Sequence, residues 1–232
     1  MSAMHRTRLL PGLAAALLSL LLVSCGSAAD VVKQSGGGAW GTAGASLPLT
    51  ADGGIVVTAH DLDPTGSYPD DPVAVAVYVE PLCPHCGAFA ADQGRLLAAR
   101  LAAGSITLEY RLVSFLDNGS TDRASARSVN AALCVSAAGG PAAYEAYVAS
   151  LLENQQPGGM SDDELVDLAD DLGDDGTEAC IRDEVHADLV SDLSERGLKA
   201  ISGTPAVVVD GRPLEQIPTT AELEAMLGSE VV

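Results

Sequence analysis

A pair of cysteines two residues apart, Cys83-Pro84-His85-Cys86, constrains this chain more than any other feature. The pair follows an apolar, β-branched run at 73–79 and begins a stretch of helical character at 88–101. A thiol at the start of a helix ionises readily, because backbone N–H groups and the helix dipole favour an anion there. Two such thiols can close into a disulfide and reopen by thiol–disulfide exchange. The order strand, CxxC, helix therefore indicates a redox site.

Zinc binding is the main alternative for a CxxC pair. A structural zinc ion needs four ligands, usually a second cysteine pair or a histidine pair at metal-ligand spacing. The sequence has no second CxxC, and His60 and His186 stand alone, far from the pair. We therefore favour redox chemistry, with no metal and no cofactor.

A second motif follows far downstream, where Gly203-Thr204-Pro205 precedes the apolar strand 206–209. The two motifs in this order resemble the DsbA family of thiol:disulfide oxidoreductases, in which a cis-proline before that strand faces the CxxC. The resemblance covers residues 50 to 228. It implies an α/β, thioredoxin-like fold with an inserted all-helical domain.

The pattern of elements agrees with that plan. Strands are predicted at 55–57, 73–79, 106–113 and 206–209, and the dipeptide Asp210-Gly211 predicts a hairpin turn after the last of them. Helices are predicted at 87–101, 122–138, 142–153, 162–172 and 178–196, with Gly197 ending the last, and a closing helix runs from Thr219 to Leu227. The predicted domains are a signal peptide (1–24), a tether (25–46), the first part of a thioredoxin-like domain (47–118), an inserted helical domain (119–199) and the second part of the thioredoxin-like domain (200–232).

The N-terminus predicts a lipoprotein signal peptide. A basic segment at 5–8 precedes an apolar run at 9–23, which is too short for an ordinary spanning helix. The run ends in Leu22-Val23-Ser24-Cys25, which resembles a bacterial lipobox, whose cysteine becomes the lipidated first residue. An ordinary secretory peptide with an incidental cysteine is the alternative. The Gly/Ala/Ser-rich segment 28–46 predicts a flexible tether, so we expect a lipid-anchored protein on the extracytoplasmic side of the cell membrane.

The chain is strongly acidic, with a net charge of −20. Such a surface repels nucleic acid and anionic lipid, so a lipid group would do the anchoring. The acidic residues are densest at 162–195, which predicts a solvated helical surface. A calcium site in this acidic segment is the alternative, but residues 170–176 lack the alternating acids of an EF-hand loop.

The remaining cysteines raise a pairing question. If Cys25 carries lipid, four cysteines allow three pairings. Pairing the adjacent Cys83 and Cys86 leaves Cys134 with Cys180, both in predicted helices of the inserted domain. An extracytoplasmic location permits that structural disulfide, and two buried free thiols are the alternative.

The resemblance assigns roles within the CxxC motif. It implies that Cys83 is the exposed nucleophile and Cys86 the buried partner. It also implies that His85 helps to hold the Cys83 thiolate. Pro84 stiffens the first helical position, where a missing N–H costs nothing.

Other expected site residues lie outside the motif. By the resemblance, Thr204 and Pro205 present backbone to a substrate polypeptide as a short added strand. Thioredoxin-type enzymes often bury an acid six residues before the first cysteine as a proton relay, but here that position is Val77. Glu80 is the nearest acid and is a possible substitute; the alternative is a plain exposed carboxylate at the strand end.

The favoured function is introduction of disulfides into reduced secreted polypeptides, with a membrane protein reoxidising the cysteine pair. The alternatives are a reductase or isomerase of the same fold. Isomerases usually carry a dimerisation domain, for which the segment before the first strand has no room, so we expect a monomer. From a different class, Cys83, His85 and Cys86 could serve a thiol-based copper chaperone, although no Met-rich or further histidine site supports it.

Overall fold

The structure is a computed structural model that describes residues 47–118, 122–173 and 176–228. The predicted signal peptide, the tether and the lipidation site Cys25 lie outside the described residues. Within the described ranges, no helix combines the length and apolar character needed to cross a membrane.

A five-stranded mixed sheet lies at the centre of the fold, with strand order β1-β3-β2-β4-β5. Strand β2 runs parallel to β3 and antiparallel to β4, so the strand that leads into the CxxC motif is central. It can occupy that place because residues 75–79 are buried on both faces of the sheet. The strands are β1 Ile55–Val57, β2 Val73–Val79, β3 Ile106–Leu112, β4 Ala206–Val209 and β5 Arg212–Pro213.

Seven helices accompany the sheet in the described part of the chain, and four of them lie between β3 and β4, as the α/β plan with a helical insertion predicts. Capping boxes begin α4 and α7, at Ser161 with Glu164 and at Thr219 with Glu222. The helices are α1 Ala59–Leu62, α2 Pro84–Ala102, α3 Ala124–Glu153, α4 Asp162–Asp171, α5 Glu178–Arg182, α6 Ala187–Ala200 and α7 Thr220–Met226. The short α1 was not predicted.

Two predicted turns are confirmed. Gly140 has a φ of 79° and interrupts α3 at the predicted Gly-Gly-Pro break. At the hairpin between β4 and β5, Asp210 and Gly211 have φ values of 47° and 73°. Positive φ at both central residues matches the twist of the flanking strands, so this turn fixes the register of β4.

The single helix predicted at 178–196 is wrong. Helix α5 ends at Arg182, Glu184 takes a left-handed φ of 47°, and α6 begins at Ala187. Gly197 does not end the helix but lies buried inside α6, where a Cβ would come 2.5 Å from Cγ1 of Val113. The glycine therefore serves close packing of α6 against the end of β3.

Cys134 of α3 and Cys180 of α5 are joined by a disulfide, with 46 residues of separation in the sequence. In the chain-entropy account, closing a loop of this length stabilises the fold by about 4 kcal/mol. The side chain of Asn130 adds a second link, because its Oδ1 accepts a hydrogen bond from the His186 backbone N–H at 2.8 Å. The disulfide holds α5 against α3, and the Asn130 hydrogen bond holds the start of α6 against α3.

Candidate active site

The N-terminus of α2 positions the CxxC motif. Cys83 is the N-cap residue, with extended backbone (φ −75°, ψ 115°), and Pro84 occupies the first turn, where its missing N–H costs nothing. The Cys83 carbonyl accepts hydrogen bonds from the backbone N–H groups of Cys86 at 2.9 Å and Gly87 at 3.2 Å. The first cysteine therefore lies at the positive end of a 19-residue helix.

The cis-proline loop lies against this cysteine. The Thr204–Pro205 peptide bond is cis, and the Cys83 Sγ donates to the Thr204 carbonyl oxygen at 3.5 Å. The fold thus brings together two motifs separated by 121 positions in the sequence.

The two thiols differ in accessibility less than expected. Both are unbonded, so the structure represents the reduced state. Cys86 is fully buried, but Cys83 is only 6% exposed rather than a freely exposed nucleophile. The surface through which a partner can reach Cys83 is therefore small.

Burial controls the acidity of the second thiol. It raises the pKa of Cys86 to about 12, although the Glu80 backbone N–H, which donates to Cys86 Sγ at 3.5 Å, acts in the opposite direction. Cys86 therefore holds its proton at neutral pH. Any step that creates or consumes a Cys86 thiolate must move a proton into or out of the protein interior.

Glu80 is not the exposed strand-end carboxylate of the alternative interpretation, because its side chain is 0% exposed. Its carboxylate accepts hydrogen bonds from the Leu82 backbone N–H at 2.7 Å and from the Ser125 hydroxyl. Burial raises the pKa of Glu80, and the donors Ser125 and Leu82 oppose that rise. A buried acid beside the redox pair can thus hold a proton at a pH where an exposed carboxyl group would have lost it.

Val77 and Glu80, the two positions considered for a proton relay, differ in their surroundings. Val77, which stands where related enzymes often carry an acid, is fully buried in the middle of β2 between Tyr110 of β3 and Val207 of β4. The acid of this chain lies instead just after the strand, within reach of Ser125 from α3. No sequence pattern pointed to Ser125, since a serine at a helix start is common.

His85 is exposed and lines a shallow groove of about 460 Å³ beside the motif. Phe89 of α2 forms one wall, and Ile217 and Pro218, just before α7, form another. Ile217 is 50% exposed and so presents an apolar surface to this groove. Sequence reasoning missed this groove because its walls come from opposite ends of the thioredoxin-like domain.

One cluster of possible metal ligands lies elsewhere in the described residues. Ligand atoms of Cys134, Cys180 and His186 fall within 4.8 Å of one another. Both sulfur atoms are already used in the disulfide, so the cluster does not offer thiolates to a metal in this state.

The fold and the site together are those of a DsbA-like thiol:disulfide oxidoreductase. The sheet is thioredoxin-like and carries a helical insertion, and the paired thiols at the N-terminus of α2 face a cis-proline. A family model described as thioredoxin matches residues 66–229. The chain therefore belongs to the thioredoxin family.

Solved structures support the same class. The chain is similar to the reduced form of the disulfide bond oxidoreductase DsbG from Mycobacterium tuberculosis, with 26% identity, a TM-score of 0.65 and coverage of 75% of this chain and 85% of that one. It is similar to oxidised DsbA from the same organism, with 27% identity, a TM-score of 0.63 and coverage of 76% and 93%. MdbA, a thiol-disulfide oxidoreductase from Corynebacterium diphtheriae, shares the fold at 24% identity, a TM-score of 0.61 and coverage of 72% and 87%.

Among curated proteins, the chain is similar to the serine/threonine-protein kinase PknE of Mycobacterium tuberculosis (strain H37Rv). The match is 29% identical over 119 residues and covers 48% of this chain. The chain spans about a fifth of the length of that relative, 21%.

Proposed function

We propose that this protein introduces disulfides into secreted polypeptides through the Cys83–Cys86 pair. The observation that carries the proposal is the position of Cys83, at the N-terminus of α2 and 3.5 Å from the Thr204 carbonyl, with Cys86 buried behind it. A helix N-terminus stabilises negative charge, and a protein whose reduced form is the more stable one is an oxidant in its disulfide form.

In the first step a substrate thiolate attacks the Cys83 sulfur of the oxidised enzyme. The Cys83–Cys86 bond breaks, a mixed disulfide forms and the electron pair of the broken bond goes to Cys86. Because burial raises the pKa of Cys86 to about 12, the departing sulfur takes up a proton. We assign Glu80, whose pKa burial also raises, as the proton donor.

In the second step the other thiolate of the substrate attacks its own sulfur in the mixed disulfide. Cys83 leaves as a thiolate, stabilised by the N-terminus of α2, and the exposed His85 adjoins it in the motif. The substrate has lost two electrons, which the enzyme holds as a Cys83 thiolate and a Cys86 thiol. A membrane electron-acceptor protein would then accept those two electrons and restore the disulfide.

The substrate would bind as an extended segment along the Thr204–Pro205 loop. The backbone of that loop offers hydrogen bonds to a strand of any sequence, as in other peptide-binding proteins that add a strand. Phe89 and Ile217 in the adjacent groove provide apolar contacts that an unfolded polypeptide can satisfy.

The direction of electron flow is tested by the redox equilibrium of the Cys83–Cys86 pair with glutathione. We expect a potential nearer the ~−120 mV of a strong oxidant than the ~−270 mV of thioredoxin. The reduced protein should also melt at a higher temperature than the oxidised protein, because a dithiol/disulfide pair is strongly oxidising when the reduced form is the more stable one. A potential near that of thioredoxin, with the oxidised protein melting higher, would make the protein a reductase.

We also propose that Cys25 carries a lipid that anchors the protein on the outer side of the cell membrane. The support is the lipobox-like sequence Leu22 to Cys25 after a short apolar segment. Replacement of Cys25 by serine should abolish incorporation of labelled fatty acid and move the protein to the soluble fraction. Unchanged membrane association of the Cys25→Ser protein would contradict the proposal.

A further inference from the structure

We propose that Gln155, a residue of the inserted helical segment between α3 and α4, is a positioning residue for the reactive cysteine. Its Nε2 donates two hydrogen bonds, to the Pro81 carbonyl at 2.7 Å and to the Cys83 carbonyl at 3.0 Å. Gln155 thus contacts the loop before α2 although it lies 74 positions after Pro81 and 72 positions after Cys83 in the sequence. It does not touch the sulfur and acts through the backbone that carries it.

The loop that receives these bonds is a tight turn after β2. The Cys83 backbone N–H donates to the Glu80 carbonyl at 3.0 Å, and the Leu82 N–H donates to the Glu80 carboxylate at 2.7 Å. Glu80 thereby holds the N–H groups of the turn, and Gln155 holds the carbonyl groups. Pro81 is buried, so loss of the Gln155 donor from its carbonyl is costly. The Cys83 carbonyl would keep only its hydrogen bonds from the backbone N–H groups of Cys86 and Gly87.

A glycine immediately after the CxxC motif makes room for this contact. A Cβ at Gly87 would lie 2.3 Å from Gln155 Oε1 and 3.3 Å from the Leu152 carbonyl oxygen. Gly87 lies in α2 with no left-handed φ, so its backbone conformation does not require glycine. Any larger residue at this position would displace the Gln155 amide.

The two hydrogen bonds matter for exchange chemistry in two ways. The attacking, central and leaving sulfur atoms must align, and small displacements of a reacting group lower rates strongly. In addition, carbonyl oxygens carry partial negative charge, and donors bound to them favour a thiolate nearby. Loss of Gln155 should therefore slow reaction at Cys83 and shift the redox equilibrium toward the disulfide form.

The first test compares Gln155→Ala with Gln156→Ala. Gln156 is the matched control, because it is exposed and its Nε2 donates to Glu164 at 2.9 Å, away from the site. We expect Gln155→Ala to lower the rate of reduction of the oxidised protein by dithiothreitol roughly tenfold, because both hydrogen bonds from Gln155 to the turn are lost. The equilibrium constant with glutathione should shift toward the disulfide form, and Gln156→Ala should change neither quantity.

A second test uses the glycine. Gly87→Ala should reproduce the loss seen in Gln155→Ala, whereas Gly94→Ala on the same helix should not, because a Cβ there meets nothing within 4 Å. In a Gln155→Ala background, Gly87→Ala should cause no further loss. Gln155→Glu retains the size of the side chain but not its two donors, so it should behave as Gln155→Ala does even if the alanine variant folds poorly.

The inference rests on exchange at Cys83 but not on its direction. If the unaltered protein does not react with dithiothreitol, the proposed function fails. If it reacts and Gln155→Ala matches Gln156→Ala in both rate and equilibrium, the positioning role fails. Equal losses from Gly87→Ala with and without Gln155 would also overturn that role.

Discussion

Cys83→Ser should abolish thiol–disulfide exchange, whereas Cys86→Ser should retain the first chemical step and lose turnover. With oxidised glutathione, the Cys83 thiolate of reduced Cys86→Ser attacks one sulfur, releases glutathione and forms a mixed disulfide. That adduct persists because no second thiol is present to resolve it. Cys83→Ser should form no adduct, since Cys86 is fully buried and burial raises its pKa to about 12.

Mass spectrometry of the two variants measures this difference directly. Each variant keeps one cysteine of the CxxC motif, and the Cys134–Cys180 disulfide provides no free thiol to either. Cys25, the fifth cysteine of the chain, is replaced by serine in both proteins so that it cannot take up glutathione. We expect one glutathione on Cys86→Ser and none on Cys83→Ser under native conditions. After unfolding, both should react, which shows that the protection of Cys86 comes from the fold. Native modification of Cys86 at the rate of Cys83 would refute the assignment of the nucleophile.

Glu80→Gln should stabilise the protein while slowing its reaction. Burial raises the pKa of Glu80 in the folded state above its ordinary value of 4.5, so the unfolded state loses this proton at lower pH than the folded state. Stability therefore falls as pH rises from about 4.5 through the folded pKa, and then stays constant. Glutamine removes this loss, so the variant should be more stable than the parent at neutral pH, and the difference should disappear in acid, where Glu80 is protonated in both states.

The same substitution removes the proposed proton donor to Cys86. We expect the breaking of the Cys83–Cys86 bond to slow by about a hundredfold at neutral pH, the low end of general acid–base effects. Denaturant unfolding at several pH values measures the stability, and stopped-flow reduction by dithiothreitol measures the rate. Ser125→Ala is the control, because it removes a hydrogen bond to Glu80 but leaves the carboxyl group. A Glu80→Gln protein that is less stable than the parent at neutral pH, or that reacts at the parent rate, would contradict the relay.

At Glu80, the same physical effect is expected to lower the stability of the fold and to raise the rate of exchange. A carboxyl group without solvent is costly to ionise, which weakens the fold. The same cost keeps its proton available to a neighbouring sulfur whose own pKa is high. Glutamine retains the shape of the side chain, and its one carbonyl oxygen can accept from the Leu82 N–H while its NH2 group donates to the Ser125 hydroxyl. Both contacts can therefore be kept without the transferable proton, so the two effects can be measured separately.

Local chemistry determined much of the architecture. The apolar residues of β2 can only be buried on both faces, so its central place follows from its composition. Ser161 with Glu164 and Asp210-Gly211 set a helix start and a hairpin through hydrogen bonds and φ angles within a few residues. Such signals are readable because each depends on neighbours in the chain.

The prediction that one helix spans 178–196 and ends at Gly197 was wrong partly because Gly197 contacts Val113, a residue distant in the sequence. Gly197 resembled a helix stop because glycine commonly follows a last turn. In the fold it is the approach of Val113 that requires glycine, and the helix continues past it. Glycine at a packing contact and glycine at a cap have the same sequence signal, so only the position of the neighbour separates them.

The sequence by itself determined the reactive chemistry: paired thiols at a helix start, and a proline placed to oppose them. The tertiary structure alone decided how that chemistry is controlled. It buried Cys83 almost completely, enclosed Glu80 with Ser125, and brought Gln155 from the helical insertion to the turn before α2. These effects depend on removal of water and on contacts between side chains distant in sequence. Since neither desolvation nor long-range contact leaves a local pattern, no spacing of residues could predict them.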